Sequence, residues 1–164
     1  MKAWKNNPEL KKKYVNLMRK HQKADRLTKG IYWEYGKGCA VGCMWRGKHH
    51  DKFETELEIP AWLAYLEDTI FEGLPDAKSQ EWPVRFLSAI PVGVDLEPIK
   101  SKFLYWLPAR VAAWGAARAP APDDARAAAW AAWAAAADSA RAAAYERIAE
   151  KLIELLRNAN DNGI

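Results

Sequence analysis

The sequence has few cysteines and no long hydrophobic segment, and each absence excludes a class of protein. Two cysteines, four residues apart in a chain of 164, cannot form a disulfide framework, so a reducing, cytoplasmic setting is expected. No apolar run approaches the roughly 18 residues of a membrane-spanning helix. The charged first twenty residues are not followed by the apolar segment of a signal peptide. We expect a cytoplasmic protein with no membrane partner.

The sequence also lacks the motifs that indicate common catalytic and cofactor-binding sites. It contains no phosphate-binding Walker loop, no dinucleotide fingerprint, no His-Glu-x-x-His and no Gly-x-Ser-x-Gly. Adjacent carboxylates such as Glu67 and Asp68 are expected on a solvated helix face. Nothing in these patterns requires an enzyme, and no cofactor is expected.

Charge is unevenly distributed along the chain. Residues 1–29 carry ten Lys or Arg against two acidic residues, residues 30–108 carry eight basic and twelve acidic, and residues 109–164 are neutral. The basic first segment could attract phosphate or an acidic partner, or it could be a solvated helix face. The acidic middle region argues against a continuous basic surface, so a nucleic-acid partner is not expected.

Apolar residues recur at steps of three and four, which predicts an all-α protein. The one exception is the glycine-bounded aromatic stretch Tyr32–Gly38, where a small hairpin is expected. The first predicted helix begins near Pro8 and ends at Gly30. Another begins near residue 81, after a cap at Ser79. The remaining predicted helices cover residues 39–45, 51–58, 60–73, 95–107 and 123–157.

The composition changes abruptly after Pro108. Of the 42 residues 109–150, 22 are alanine, the residue with the highest helix propensity. We interpret residues 1–108 as a compact multi-helix core domain. Residues 109–164 are expected to form an Ala-rich helical tail, packed on the core or on a partner protomer of a homo-oligomer.

Six residues form the first candidate site: His21, Asp25, Cys39, Cys43, His49 and His50. Three interpretations remain open. Thiolates and imidazoles could hold zinc through Cys39, Cys43, His49 and His50, although Cys-x3-Cys is not the usual spacing. A cysteine could be a nucleophile, with His21 as base and Asp25 orienting it. Both thiols could instead be buried packing groups, with His21 on the buried helix stripe beside Asp25 at i+4, and His49 and His50 in a polar loop.

Aromatic residues form the second candidate site. Tyr32, Trp33 and Tyr35 lie beside Lys37 among glycines, a combination suited to stacking a nucleobase and holding phosphate. His21 and Asp25 are assigned to the same ligand site. Trp130 and Trp133 on the Ala-rich helix are further candidates for ligand or partner contact. The alternative is that these rings belong to the core.

The chain resembles a family of small, functionally uncharacterised bacterial and phage proteins. The resemblance rests on the string Gly38-Cys39-Ala40-Val41-Gly42-Cys43, and it covers roughly residues 20–107. Further matching segments are His21…Asp25…Gly30…Tyr32, Glu58-Ile59-Pro60-Ala61-Trp62, Ile70-Phe71-Glu72-Gly73 and Ala89-Ile90-Pro91-Val92-Gly93-Val94-Asp95. Glu58 departs from the glycine expected before Ile-Pro. The resemblance implies no mechanism, but it makes a role in phage–host conflict plausible.

These observations lead to three functional hypotheses. The first is a non-catalytic, phage-type anti-defence protein that sequesters a host molecule in the host cytoplasm, with a small nucleotide immune signal as the expected ligand. The second is an inhibitor or immunity-type protein that docks on a host protein through the Ala/Trp helix. The third is an enzyme that depends on Cys39 or Cys43.

The first testable prediction concerns the tryptophans of the Ala-rich helix. Trp130 and Trp133 are too bulky to stand exposed among alanines without a role. The Trp130→Ala, Trp133→Ala double variant is therefore expected to reduce oligomer size or partner affinity, measured by light scattering and by a binding assay. A folded double variant with unchanged mass and unchanged binding would contradict this role.

Overall fold

The computed structural model describes residues 1–106 and 123–159, with only the backbone described for residues 123–137. In these ranges the fold is all-helical, as predicted, with seven α-helices and no strand. They are α1 (Pro8–Lys23), α2 (Ala40–Trp45), α3 (Lys52–Leu57), α4 (Ala61–Gly73), α5 (Asp76–Ala89), α6 (Glu97–Trp106) and α7 (Asp123–Arg157). Within the same ranges, no helix combines the length and apolarity needed to cross a bilayer.

Helix α5 occupies the centre of the fold. It packs against α1, α4 and α7, and α7 also packs against α4 and α6. Trp82 and Phe86 of α5 are fully buried, and the Trp82 indole donates a hydrogen bond to the Glu67 carbonyl of α4 at 3.1 Å. Buried aromatic rings of this size dominate core energetics, and the indole N–H needs such a partner.

The long C-terminal helix confirms the helix predicted for residues 123–157. Its last turns bury Ala149, Leu152, Ile153 and Leu156 in the same core as α4 and α5. The side chains of Trp130 and Trp133 lie outside the described residues, as does the domain boundary predicted after Pro108. The interpretation of these tryptophans as contact residues stays a prediction.

Helix α1 begins as predicted and ends earlier. The Asn7 side chain accepts hydrogen bonds from the first backbone N–H groups of the helix, and Pro8 takes the first position, where its missing N–H costs nothing. The helix ends at Lys23 rather than at Gly30, because Asp25 adopts a left-handed backbone with φ of 52°. The expectation that Asp25 shares the buried stripe with His21 is therefore wrong.

The first residues form a structure that periodicity did not reveal. Ala3–Asn6 makes a short 3-10 turn in which three consecutive residues have positive φ. The turn buries Trp4, whose indole donates to the Ile90 carbonyl at 3.1 Å. Lys11 donates to the same carbonyl at 2.7 Å, so a cation lies at the C-terminal end of α5, where the helix dipole favours it.

Helix α5 begins five residues before the predicted start near residue 81. Asp76 occupies the first turn, where a carboxylate is favourable. Ser79 lies inside the helix and donates through its hydroxyl to the Asp76 carbonyl at 2.9 Å, so it is not the cap. Pro83, which follows the predicted start, lies buried in the helix interior.

The segment between α1 and α2 is a minimal hairpin, as predicted. Glu34 and Lys37 exchange backbone hydrogen bonds of 2.8 and 2.9 Å. The two residues between them, Tyr35 and Gly36, have φ of 48° and 81°, as a tight type I′ turn requires. The only other β-bridge in the described residues is a parallel one between Leu27 and Gly38.

Two glycines let this hairpin lie directly on α2. A Cβ atom built on Gly38 or on Gly42 would overlap the Tyr32 carbonyl. The backbone at Tyr32 therefore passes where only a residue without a side chain leaves room. The spacing of the Gly-Cys-Ala-Val-Gly-Cys string thus has a packing reason.

The second prediction tests this contact. Gly42→Ala should lower the free energy of unfolding by roughly 1–3 kcal/mol, because the added methyl group displaces the hairpin. Denaturant unfolding measures the loss. Gly47→Ala is the matched control, since its Cβ would meet only the His49 ring, at 3.1 Å. Equal stability of the two variants would show that the hairpin does not depend on this close approach.

Candidate functional site

Two neighbouring aromatic residues of the hairpin contact different parts of the fold. Trp33 contacts His21 at the end of α1, whereas Tyr32 contacts His50 in the loop before α3. Side chains alternate along an extended backbone in this way. The single aromatic site predicted from sequence is therefore two sites.

The first, which we call the basic site, consists of His21, Arg26, Trp33 and Arg46. The His21 ring lies edge-on to the Trp33 ring, with centroids 5.9 Å apart. His21 is only 8% exposed, which confirms its predicted place on the buried stripe. Its Nδ1 atom is buried without a hydrogen-bond partner in the described part of the chain.

Two guanidinium groups act electrostatically on this imidazole. Burial lowers the pKa of His21 from its usual value, and the positive charges of Arg26 and Arg46 lower it further. His21 is accordingly neutral at pH 7. Both arginines are exposed, and neither forms an ion pair with a carboxylate of the described residues. The basic site therefore contains two guanidinium groups without an ion-pair partner in the described chain, and an indole ring in contact with His21.

The remaining hairpin residues lie at its exposed tip. Lys37 is paired with Asp25 through an N···O distance of 3.7 Å, so the turn is fixed to the end of α1 by an ion pair at the surface. Tyr35 is fully exposed at the turn and makes no ring contact among those described. Lys37 is thus partly neutralised, whereas neither arginine of the basic site has an ion-pair partner among the described residues.

The second site lies on the other side of the hairpin and was not predicted as a unit. We call it the acidic site, and its members are Tyr32, Cys39, His50, Tyr65, Glu67 and Asp68. His50 stacks on Tyr65 with ring centroids 4.2 Å apart and receives the edge of Tyr32 at 5.7 Å. Its Nε2 atom lies 3.3 Å from the Asp68 carboxylate. These contacts fix the imidazole between two rings and a carboxylate.

Next to Asp68 on α4 is a carboxyl group with no hydrogen-bond partner in the described part of the chain. Glu67 is 1% exposed, and neither of its carboxylate oxygens has a hydrogen-bond partner in the described residues. Burial raises its pKa well above the usual value, and the nearby charges of Asp68 and Glu72 raise it further. A buried unsatisfied carboxyl is costly, and in native structures it calls for an explanation.

Both cysteines are buried and reduced, as the packing interpretation predicts. The Cys43 thiol donates to the Gly38 carbonyl at 3.5 Å, while Cys39 accepts from the Gly42 N–H at 3.5 Å. Burial raises the pKa of Cys43 to about 12 and raises that of Cys39 as well. In their neutral forms, the Cys43 thiol therefore joins α2 to the end of the hairpin, and the Cys39 sulfur caps the first turn of α2.

A metal interpretation finds no geometric support in the described ranges. There, no group of three or more His, Cys, Asp or Glu side chains is arranged to hold a metal ion. The predicted ligands diverge, because His49 is exposed whereas His50 is buried beside Asp68.

Two expectations about this region are wrong. His50 is 4% exposed rather than part of a solvated loop, because it packs against Tyr65 of α4. Glu67 is buried rather than on a solvated face. The helical spacing does place Glu67 on the buried side of α4, together with Leu63 and Ile70. The prediction of a solvated face followed the acidic residue type instead of this spacing.

Comparison of the chain with protein-family models, with curated proteins and with solved structures gives no match. The functional argument therefore rests on the two sites themselves, and the resemblance to bacterial and phage proteins stays a prediction.

The third prediction concerns the burial of Glu67. Below about pH 4.5 its carboxyl is protonated in both folded and unfolded chains. As the pH rises further, the unfolded carboxyl ionises while the folded one resists, so this group makes the fold less stable by up to about 1.4 kcal/mol per pH unit. Glu67→Gln removes that dependence, and its melting temperature should rise relative to the native chain between pH 5 and pH 8.

The matched control is Glu81→Gln, which neutralises an exposed carboxylate on α5. Its melting temperature should follow that of the native chain across the same pH range. If Glu67→Gln also follows the native chain at every pH, the Glu67 carboxyl is not held neutral by the fold.

Proposed function

We propose that this protein is a non-catalytic binding protein that sequesters a small nucleotide at the basic site. The observation that carries the proposal is the contact of the Trp33 ring with the partly unsatisfied imidazole of His21, on which the unpaired arginines Arg26 and Arg46 act electrostatically. An aromatic face beside uncompensated guanidinium groups matches the two halves of a nucleotide, a flat base and an anionic phosphate.

Each group has a chemical task in this proposal. The half-buried Trp33 ring offers a face to the base, and its orientation is held by the edge contact with His21. The guanidinium groups of Arg26 and Arg46 bind phosphate oxygens through paired N–H donors. Because His21 is neutral, it can accept or donate one hydrogen bond to a base or ribose without adding charge.

The thiols weigh against the enzymatic alternative. A nucleophilic cysteine needs an accessible thiolate, but both cysteines are buried and have raised pKa values. The base and orienting residue proposed for them are also separated, since Asp25 pairs with Lys37 and not with His21. Binding without turnover fits these side chains better.

Sequestration of a nucleotide suits the setting that the family resemblance implies. A phage-encoded protein that withdraws a small nucleotide immune signal would act by affinity alone and would need no catalytic group. In this proposal the ligand belongs to the host cell, and the described helical core serves as the scaffold that holds the hairpin in place.

The fourth prediction is that calorimetry against a panel of linear and cyclic nucleotides detects binding by the full chain. Affinity should fall as salt rises, because ionic contacts with phosphate are screened. Trp33→Ala should weaken binding at least about fivefold, as expected for the loss of one base-stacking contact. The Arg26→Ala, Arg46→Ala double variant should weaken it further and reduce the salt dependence.

Lys102→Ala is the matched control, since it removes an exposed positive charge from α6, outside the basic site. Circular dichroism verifies that each variant is folded. Absence of heat with every nucleotide would refute the proposal, and so would equal losses of affinity in Lys102→Ala and in the double arginine variant.

A further inference from the structure

An open groove of about 510 Å³ lies between the end of α6 and one side of α7. The half-buried Trp106 of α6 lines this groove. The rest of its lining, which we call the outer face of α7, consists of six residues: Ala143, Glu146, Arg147, Glu150, Lys151 and Glu154. All six keep part of their surface accessible. Because other residues of α7 pack in the core, the outer face is available for a contact.

Two charges of the outer face have no partner within the described chain. A guanidinium group of α5 donates to Glu150 at 2.7 Å, and Lys151 donates to Glu154 at 2.7 Å. The side chains of Glu146 and Arg147 form no ion pair or hydrogen bond with the described residues. The two unpaired residues are adjacent in the chain and carry opposite charges.

The charges of the outer face are ordered so that the face is complementary to itself. When two copies of a helix pack antiparallel about a two-fold axis, residue i of one copy contacts residue j of the other, and residue j contacts residue i. With the axis at the level of residues 148 and 149, Glu146 lies opposite the partner's Lys151, and Arg147 lies opposite the partner's Glu150. Each pair joins opposite charges and occurs twice. Both charges that lack a partner within the chain then obtain one.

Other arrangements of the same two faces pair the charges less well. Parallel packing would place each charge opposite an identical one. A shift of three residues brings together the two copies of Glu150 in one direction and the two copies of Arg147 in the other. A shift of four residues leaves Glu146 or Lys151 without an opposite charge, depending on its direction. Because like charges and unpaired charges disfavour these alternatives, the order of charges selects one antiparallel register.

We propose that the outer face of α7 is a self-association surface, which joins two copies of this chain in an antiparallel dimer with Glu146 opposite the partner's Lys151. Exposed ion pairs contribute little affinity, so their role is to set the orientation and the register. The affinity comes from covering apolar surface in the groove, including the Trp106 ring. A face of this size forms a weak dimer, with a Kd between about 1 μM and 1 mM. The surface is separate from the basic site and does not depend on nucleotide binding there.

The fifth prediction is that sedimentation equilibrium of the full chain shows a monomer–dimer equilibrium that weakens as salt rises. Glu146→Lys should weaken the dimer at least about tenfold, because it brings two positive charges together at two symmetric positions. Lys151→Glu should weaken it likewise, because it brings two negative charges together. An equimolar mixture of the two variants should form a heterodimer with about the native affinity, since every charge at these positions then lies opposite its complement. Mixing cannot repair a folding defect, so this rescue tests the register itself.

The matched controls are two charge reversals at exposed positions elsewhere, Lys20→Glu on α1 and Glu56→Lys on α3. Each control should dimerise as the native chain does, alone and in the mixture, and circular dichroism verifies that every variant is folded. A native chain that stays monomeric up to about 1 mM overturns the proposal and leaves the face to a partner of another sequence. Assemblies larger than a dimer overturn it as well. So does native affinity in either single variant, or a mixture that fails to restore the dimer, since the chain would then associate through another surface or register.

Discussion

The approach of the Tyr32 backbone to Gly38 and Gly42 is the constraint on which the rest of the structure depends. It sets the hairpin on α2 at a distance that a single methyl group would forbid. Because the hairpin lies there, the Cys43 thiol reaches the Gly38 carbonyl, and the Cys39 N–H donates to the Ile31 carbonyl at 2.9 Å. The placement also decides which ring goes to which side, since Tyr32 and Trp33 follow one another along the same backbone.

The helices could be predicted from the sequence because each has a local cause. Asn7 and Pro8 mark the start of α1, and the alanines of α7 favour a helix with little help from packing. The end of α1 could not be predicted, because Asp25 adopts a left-handed backbone that the spacing of the apolar residues does not indicate. The burial of Trp4 likewise depends on residues some 90 positions later, with which the first turn pairs. Periodicity carries no information about such distant contacts.

In the candidate sites, too, features with a local cause could be predicted and those that depend on distant contacts could not. The sequence indicated His21 and Trp33 as functional, since an imidazole on a buried stripe and rings among glycines are local signals. It named His50 only as a possible metal ligand in a polar loop and did not indicate Glu67, because the burial of both results from packing between the loop before α3 and the face of α4. Glu67 occupies an apolar position of α4 by spacing, so the local pattern and the residue type disagree there. Such disagreements are expected where function competes with stability.

The burial of Glu67 is best understood together with the charges on the opposite side of the hairpin. A carboxyl placed at a core position destabilises the fold unless something compensates it, and the described residues supply no ion-pair partner for it. The fold avoids that cost by keeping the carboxyl protonated, since burial and the neighbouring carboxylates raise its pKa. The arginines of the basic site cannot adapt in this way, because a guanidinium stays charged even when it has no ion-pair partner. Of the two groups, only the arginines therefore keep their charge, and that charge acts on the buried His21 imidazole.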